Sequence, residues 1–377
     1  MKRTAISATC LALILTAQAW GQGQSRMDLP TAEKESRFAA EWRLRLSGSD
    51  VHDEQSQSKI VDIRAEFKAR YLLSNSLQLD VQPTVRLQSG QTQSVDGADK
   101  PENKITLNQA AVHYLPVSAL RFSAGALNQR HMHSEILLDR IAFPAARAEA
   151  LLKTNNFKTS LALESAIPTS TSLSTNTKEL EPTPSLNTVA LKFNWQAAKN
   201  LYWKTTGGYF IYNNLPSSVA KQSGLLGNEV EKISDAQYAF TYKYEGYEAS
   251  TEFEFPVFSA LDINAGAEYV QNQKAPSEQN SAYRYYLNGE FHLSKNMDLT
   301  LGGGYFSVAP EAAVAYFNAT GFETNRVGYS MESSLAFNKE RFLIGVRYTD
   351  SEVMYSNAIQ SREKTWFIKL ETFYADI

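Results

Sequence analysis

The 377-residue chain has one cysteine, Cys10, and beyond its N-terminus no run of 18 apolar residues. The second absence excludes a helical membrane protein. Charge of one sign is also lacking: Lys+Arg is 37 and Asp+Glu is 40, a net charge of -3. A nucleic-acid partner is therefore not expected. Histidine is scarce, at five, and no G-x-S-x-G occurs, which leaves little for Ser/His or Asp/His hydrolytic chemistry. No enzyme, cofactor or metal is expected. Aromatic residues are not scarce: 19 Tyr, 19 Phe and 5 Trp argue against disorder. A mean hydropathy of -0.35 looks water-soluble, but it averages over the order of the residues.

The N-terminus reads as an address. Met1-Lys2-Arg3 is cationic, Leu11, Leu13, Ile14 and Leu15 centre an apolar segment, and Ala17-Gln18-Ala19 is an A-x-A cleavage site. The expectation is a signal peptide over 1–19, a flexible polar lead-in over 20–36, and one domain over 37–377. Cleavage would remove Cys10, so the mature chain would have no disulfide. Loss of Lys2 and Arg3 would take the net charge from -3 to -5.

From Arg37 onward the period is two. Phe38, Ala40, Trp42, Leu44 and Leu46 share one face; Glu41, Arg43 and Arg45 share the other. In 59–71, Val61, Ile63, Ala65, Phe67, Ala69 and Tyr71 alternate with Asp62, Arg64, Glu66, Lys68 and Arg70. In 77–88, Leu77, Leu79, Val81, Pro83, Val85 and Leu87 alternate with a polar set that includes Asp80 and Arg86. Such alternation signals strands with one apolar and one polar face. It persists to Trp366, Ile368, Leu370, Thr372 and Tyr374. Segments of about ten residues suit tilted strands crossing a bilayer. The charged face suits a wet lumen and not lipid.

Short turns alternate with long polar loops. The turns fall near 74–76, 116–119, 155–156, 196–200, 256–260, 294–296 and 338–340. The loops span roughly 48–57, 89–103, 128–145, 168–186, 213–233, 271–280, 309–325 and 351–363. The pattern predicts an all-β, antiparallel, up-and-down transmembrane barrel of about 16 strands, within a range of 14–18. Both termini are expected on the periplasmic, short-turn side. Sixteen requires 234–256 to be one strand with a bulge at Gly246, because the apolar face switches there from even (Tyr238, Phe240, Tyr242, Tyr244) to odd (Tyr247, Ala249, Phe253, Phe255). Segment 104–114 can be read in either parity.

With this pattern the chain resembles the Gram-negative outer-membrane porins. The terminal segment WFIKLETFY, 366–374, is similar to the strand that the barrel-assembly machinery reads in that family, although three residues follow it. The resemblance implies an outer-membrane location, contact with lipid and lipopolysaccharide, a homotrimer, and passive diffusion of small hydrophilic solutes or ions. WRLRL (42–46), FKARY (67–71), VQPTVRL (81–87) and AVHYLPVSALRFSAG (111–125) also resemble alginate-export barrels. That implies the alternative, a specialised channel for an anionic polysaccharide or oligosaccharide. The glycine-arginine-glutamine element of that group is not matched at Gly125, which precedes Ala126 and Leu127.

Two sets of residues are candidates for function. Arg43, Arg45, Asp62, Arg64, Glu66, Lys68, Arg70 and Arg86 are expected to line the pore, either as a selective basic wall or as a self-neutralising, solvated face. Glu248, Glu252, Glu254, Glu268 and Glu290 would balance them from later strands. The loop 128–145 mixes Arg130, His131, His133, Glu135, Asp139 and Arg140 with Ile136, Leu137, Leu138, Ile141, Ala142 and Phe143. A water-exposed loop does not need that apolar set. It is expected to fold inward as a constriction, the alternative being packing against neighbouring loops or a second subunit. His131 and His133 form an H-x-H pair but lack two further metal ligands at a fitting spacing. The acidic loops 89–103 and 351–363 are read as solvated rather than calcium-binding.

Overall fold

The computed structural model describes residues 37–54, 56–93, 101–168, 181–198, 201–235, 237–318 and 321–376. The expected signal peptide and lead-in lie outside these residues. Sixteen antiparallel strands pair in sequence order. They are β1 (Phe38–His52), β2 (Gln57–Ser74), β3 (Leu77–Gln93), β4 (Lys104–Val117), β5 (Leu120–Asn128), β6 (Ala142–Lys153), β7 (Phe157–Ala166) and β8 (Ser185–Ala198). The second half comprises β9 (Leu201–Asn213), β10 (Glu245–Phe258), β11 (Leu261–Asn272), β12 (Ser281–Ser294), β13 (Met297–Val308), β14 (Arg326–Phe337), β15 (Phe342–Val353) and β16 (Glu363–Thr372). β1 pairs with both β2 and β16, so the sheet closes and has no edge.

The period-two pattern fixes which face looks out. Leu287 is 57 % exposed, Ile368 57 % and Met331 60 %, whereas Asp62, Glu248 and Glu268 on the inward face are buried. Large exposed apolar side chains beside buried charges invert the soluble arrangement. Lipid is the solvent that makes this stable.

The strand count agrees with the sequence reading, but segment 234–256 is not one strand. β10 begins at Glu245, and its pairing with β9 and β11 runs through Gly246 without a shift. Residues 214–244 form the fifth long loop, which holds a helix, α1 (Ser217–Leu225), and a hairpin of Val230–Ser234 with Gln237–Phe240. The change of parity near Gly246 marks a junction of loop and strand, not a bulge. Phe240 and Tyr244 serve a core among the loops instead of the lipid face.

The ambiguity at 104–114 has a physical cause. Opposite Gln82 and Pro83 the partners are Gln109 and Leu107, so Asn108 is an extra residue in β4. Ile105 and Leu107 face lipid before it; Val112 and Tyr114 do so after it. Both parities are therefore present in one strand. Gly125 has φ +129, a conformation that L side chains avoid, and a Cβ there would strike the Ala110 carbonyl. Three strand ends also move: β1 and β2 extend to leave only 53–56 as loop, and β3 runs to Gln93.

Candidate functional site: the lumen and its third loop

All eight residues expected to line the pore come from β1–β3, and the structure places them on the inner face. The register brings four cations into line. Arg45 is opposite Arg64, Arg64 opposite Arg86, and Arg86 opposite Lys104, across four neighbouring strands. Like charges placed opposite each other destabilise a sheet, so such a row persists only where something else favours it. Carboxylates compensate in part. Arg86 pairs with Asp62, and Arg64 reaches the same carboxylate at 3.7 Å. Arg45 pairs with Glu371 of β16. The Nε of Arg64, at the middle of the row, is buried and has no hydrogen-bond partner.

Below this row the charges are better matched. Arg43 donates to Glu66 Oε2 at 2.6 Å and to Glu371 Oε1 at 2.8 Å. Arg70 lies 3.3 Å from Asp80. The Lys68 ammonium sits 3.5 Å from the centre of the Tyr374 ring, and Arg43 covers the same ring at 4.6 Å. The Tyr374 hydroxyl donates to Glu66. Tyr374 therefore faces the lumen, against the outward position expected from the alternation. The reason is a shift in pairing: Arg45 is opposite Glu371 but Trp42 is opposite Ala375, so the last strand carries one extra residue.

The third long loop, 129–141, turns to the lumen side. A single 3-10 turn (Gln129–His131) starts it, with Asn128 Oδ1 accepting from the Arg130 N–H. His133 and Glu248 of β10 meet at 2.6 Å, and the Ser134 N–H donates to the other Glu248 oxygen at 3.0 Å. The second ring nitrogen of His133 faces Thr188 of β8 at 3.4 Å. Glu135 bridges Arg130 at 2.9 Å and Arg284 of β12 at 2.6 Å, with Glu268 of β11 alongside. Burial would raise the Glu135 carboxyl, but these arginines hold it below the ordinary value. Desolvation by the surrounding loop and wall, reinforced by Arg147 and Lys192, pushes His131 down to about 4 even though part of its ring is exposed. Its carbonyl accepts from Lys192 of β8.

The six charged or histidine residues of the loop thus separate. Arg130, His133 and Glu135 reach β8 and β10–β12, and the Asp139 N–H donates to Phe317 of the seventh loop. Arg140 is exposed and within electrostatic reach of Lys68 on β2. Its apolar members have another use. Ile136, Leu137, Leu138 and Phe143 are wholly buried with Val219 of α1 and Val314 and Phe317 of the seventh loop. Lumen-facing Phe210, Val270, Ala282 and Phe306 belong to the same cluster. Loops three, five and seven therefore share a dry core against the inner wall of β7–β13.

The sequence reading did not pair the loop with Glu248, Glu268 and Arg284, nor single out Lys104, Lys192 and Arg147. The parity of β10–β12 did place Glu248 and Glu268 on the polar face; which residues they would meet depends on the path of the loop. The acidic residues Glu252, Glu254, Asp262, Glu290 and Asp298 also face inward on β10–β13, opposite in sign to the row on β1–β4.

No protein-family model matches the sequence, and no curated protein is similar to it. Solved structures do share its fold. OprB of Pseudomonas putida, at high pH, superposes with TM-score 0.56 and 11% identity over 90% of this chain and 94% of that one. A loop-L8 deletion mutant of OmpT, an outer membrane protein of Vibrio cholerae, gives 0.51 and 10%, over 90% of this chain and 100% of that one. OmpF of Salmonella typhi, in complex with daunomycin, gives 0.51 and 7%, over 89% and 97%. With its apolar exterior and charged interior, this closed sixteen-stranded barrel has the fold of the Gram-negative outer-membrane porins.

Proposed function

We propose that the chain is a non-enzymatic diffusion channel of the outer membrane, open to small hydrophilic solutes and ions, with a preference for anions. The observation that carries this reading is the row Arg45–Arg64–Arg86–Lys104, four cations in register against three carboxylates, of which Asp62 is shared by Arg64 and Arg86 and Glu371 also holds Arg43, while Glu102 pairs with Lys104. The pore-lining set of β1–β3 forms one wall of the passage and the acidic faces of β10–β13 the other. Together they set a field across it. Arg130, His131, His133, Glu135, Asp139 and Arg140 belong to a loop that narrows the passage. The loop core fills the β7–β13 side of the mouth, leaving the water path along β1–β4.

The short-turn end, with both termini, faces the periplasm, and lipopolysaccharide meets the long-loop end. Residues 366–374 engage the assembly machinery. The partner in the membrane is a second and third copy of the chain, seated on β1–β8. Exposed Tyr247, Tyr269, Tyr285, Tyr305, Tyr329 and Trp366 form an aromatic row on β10–β16, near the long loops. The matching level of β2–β8 offers Val61, Leu87, Ile105, Leu163 and Val189, beside a recess of about 660 Å³ whose lining includes Ala124, Ala146 and Ala148 as well as Tyr114, Phe122 and Tyr209. Aromatic belts mark a lipid interface; Trp42, Phe67, Tyr71, Tyr114 and Phe122 supply one near the short turns of β1–β5, and the gap in the row near the long loops over β2–β8 supports protein contact there.

Planar-bilayer conductance and liposome swelling test the function. The expected results are stable open channels and swelling rates that fall with solute size. Absence of conductance from folded protein would overturn the channel. The second reading, an anionic polysaccharide or oligosaccharide conduit, rests on the same cation row. It predicts that acidic oligosaccharides block the current at concentrations where neutral ones do not.

A further inference from the structure

At the long-loop end of the barrel, loops five, six (273–280) and seven (309–325) meet around one acidic side chain. Glu311 of loop seven is wholly buried. Its Oε1 accepts from the Glu229 N–H at 2.5 Å, and its Oε2 accepts from the Tyr244 hydroxyl at 2.7 Å, both in loop five. The Glu311 N–H donates to the Gln279 carbonyl of loop six at 2.8 Å, and the Asn272 amide, at the end of β11, donates to the Glu311 carbonyl at 2.9 Å. Asn228, beside Glu229, donates to the carbonyls of Pro310 and Ala313 and accepts from the Ala315 N–H. A buried carboxylate is normally paired with a cation. Among the described residues none reaches Glu311. The charged and titratable groups that act on it are Glu229 and Tyr244. Tyr242 of loop five lies within electrostatic reach of Glu311, Glu229 and Glu278 of loop six.

We propose that Glu311 is a latch operated by pH: protonated, it holds loops five and seven together, and its ionisation releases them and widens the passage. The link to the passage is the core that these loops share with the third loop. Leu137 and Leu138 of the third loop, with Phe143 at its end, are buried with Val219 of α1 and with Val314 and Phe317. The last two follow Glu311 by three and six positions. The Phe143 and Phe317 rings meet edge to face at 5.3 Å, and the Asp139 N–H donates to the Phe317 carbonyl at 2.8 Å. Loops five and seven therefore cannot part without unpacking the third. The proposal rests on the reading of the third loop as the constriction.

The direction of the switch follows from the surroundings of the carboxyl. Burial without a cation disfavours the anion. The Glu229 N–H and the Tyr244 hydroxyl solvate the anion in part, and the charge of Glu229 opposes it. The balance puts the carboxyl at about 7 in the packed loops, against an ordinary 4.5. Released loops give Glu311 to water, so release and loss of the proton are linked. The packed form has the higher value, and acid therefore favours packing. The ratio of released to packed channels rises about tenfold per pH unit from about pH 5 to pH 7 and then levels off, a total of roughly 300-fold.

The test uses the full mature chain at pH 5, 6, 7 and 8, with two readouts. Single-channel records in planar bilayers give the ratio of time at the wider conductance level to time at the basal one. The reaction of a Val314→Cys variant with a thiol reagent, divided by its rate in the same variant carrying Glu311→Gln, reports release of the buried core. Both are expected to rise about tenfold per pH unit up to pH 7, and the current of Glu311→Gln alone should stay flat. Should Glu311→Gln fail to fold, two milder variants decide. Glu229→Gln removes a like charge at an exposed position and should move the rise to lower pH. Tyr244→Phe removes a donor to the anion and should move it to higher pH. An unchanged rise in Glu311→Gln, or in both milder variants, would overturn the latch. So would a core that stays unreactive at pH 8, which leaves the constriction reading standing. Release of the core with no change in current would overturn both the gate and the constriction.

Discussion

Replacing Arg64 by Gln removes one charge from the centre of the cation row while keeping a polar side chain of similar reach. Its neighbours Arg45 and Arg86 are paired with Glu371 and Asp62, whereas Arg64 has only a 3.7 Å contact with Asp62. Its charge is therefore the least compensated in the row. An ion passing about 7 Å away in water feels about 0.6 kcal/mol from a unit charge. At 0.1 M salt, with a Debye length of about 10 Å, roughly half of that remains. Half of 0.6 kcal/mol is about 0.5 RT, acting with opposite sign on anion and cation. The chloride-to-potassium permeability ratio should then fall about threefold in Arg64→Gln. At 1 M the Debye length is about 3 Å, and the same variant should differ from wild type by only about 1.2-fold. Reversal potentials in KCl gradients centred on the two concentrations measure both numbers, and Arg64→Lys should retain the wild-type ratio. An unchanged ratio at 0.1 M would refute the role of the row. A change of equal size at 1 M would show that Arg64 acts by shaping the opening and not by its field.

Three further outcomes are expected. Glu248→Ala leaves His133 and the Ser134 N–H without their partner, at a cost of about 1–3 kcal/mol for a buried donor left unpaired; single channels should flicker to higher conductance, and steady wild-type openings would count against the loop as a constriction. Burial pushes the Glu311 carboxyl in the seventh loop up to about 7, with the Glu229 N–H and the Tyr244 hydroxyl pulling back. The packed loops thus hold its proton more tightly than released loops do, so their stability is full below about pH 4.5 and falls by up to about 3 kcal/mol as pH rises to 7 and beyond. Proteolysis of loops five and seven should accelerate between pH 5 and pH 8 in wild type but not in Glu311→Gln. Leu287→Arg, on the lipid face, should cost about 2–4 kcal/mol in a bilayer unfolding titration, and a loss below 1 kcal/mol would mean that this face does not meet hydrocarbon.

The barrel was legible because its two solvents force a period of two on every strand, and that period survives in any single sequence. It failed where the backbone departs from the ladder by one residue. Asn108 mixes two parities in β4, and the extra residue before Ala375 turns Tyr374 inward. Neither shift has a signature in residue type. The opposite error occurred at 234–244, where Tyr238, Phe240, Tyr242 and Tyr244 alternate as a strand would, yet Phe240 and Tyr244 line a core of loops. Alternation reports a two-sided environment, and a loop folded against a wall has two sides as well. The lumen charges of β1–β3 were readable by parity alone. The partners of the third loop were not, because Glu248 is 115 positions from His133 and only the closed path of the chain brings them together.

The closure of the sheet carries one more consequence, for assembly. Glu371 on the last strand binds both Arg43 and Arg45 on the first, and Tyr374 reaches Glu66 across the same seam. These residues are more than 300 positions apart, so their contacts form only when the ends of the chain meet. A slip of two residues would keep every apolar side chain in lipid and every ladder hydrogen bond in kind, and so would pass unnoticed by hydrophobicity. In the direction that sets Glu371, buried at 6 % exposure, opposite Ser47, it would carry that carboxylate away from Arg43. The ion pairs at the seam therefore act as a check on registration at the last step of folding, distinguishing the correct cylinder from its near copies.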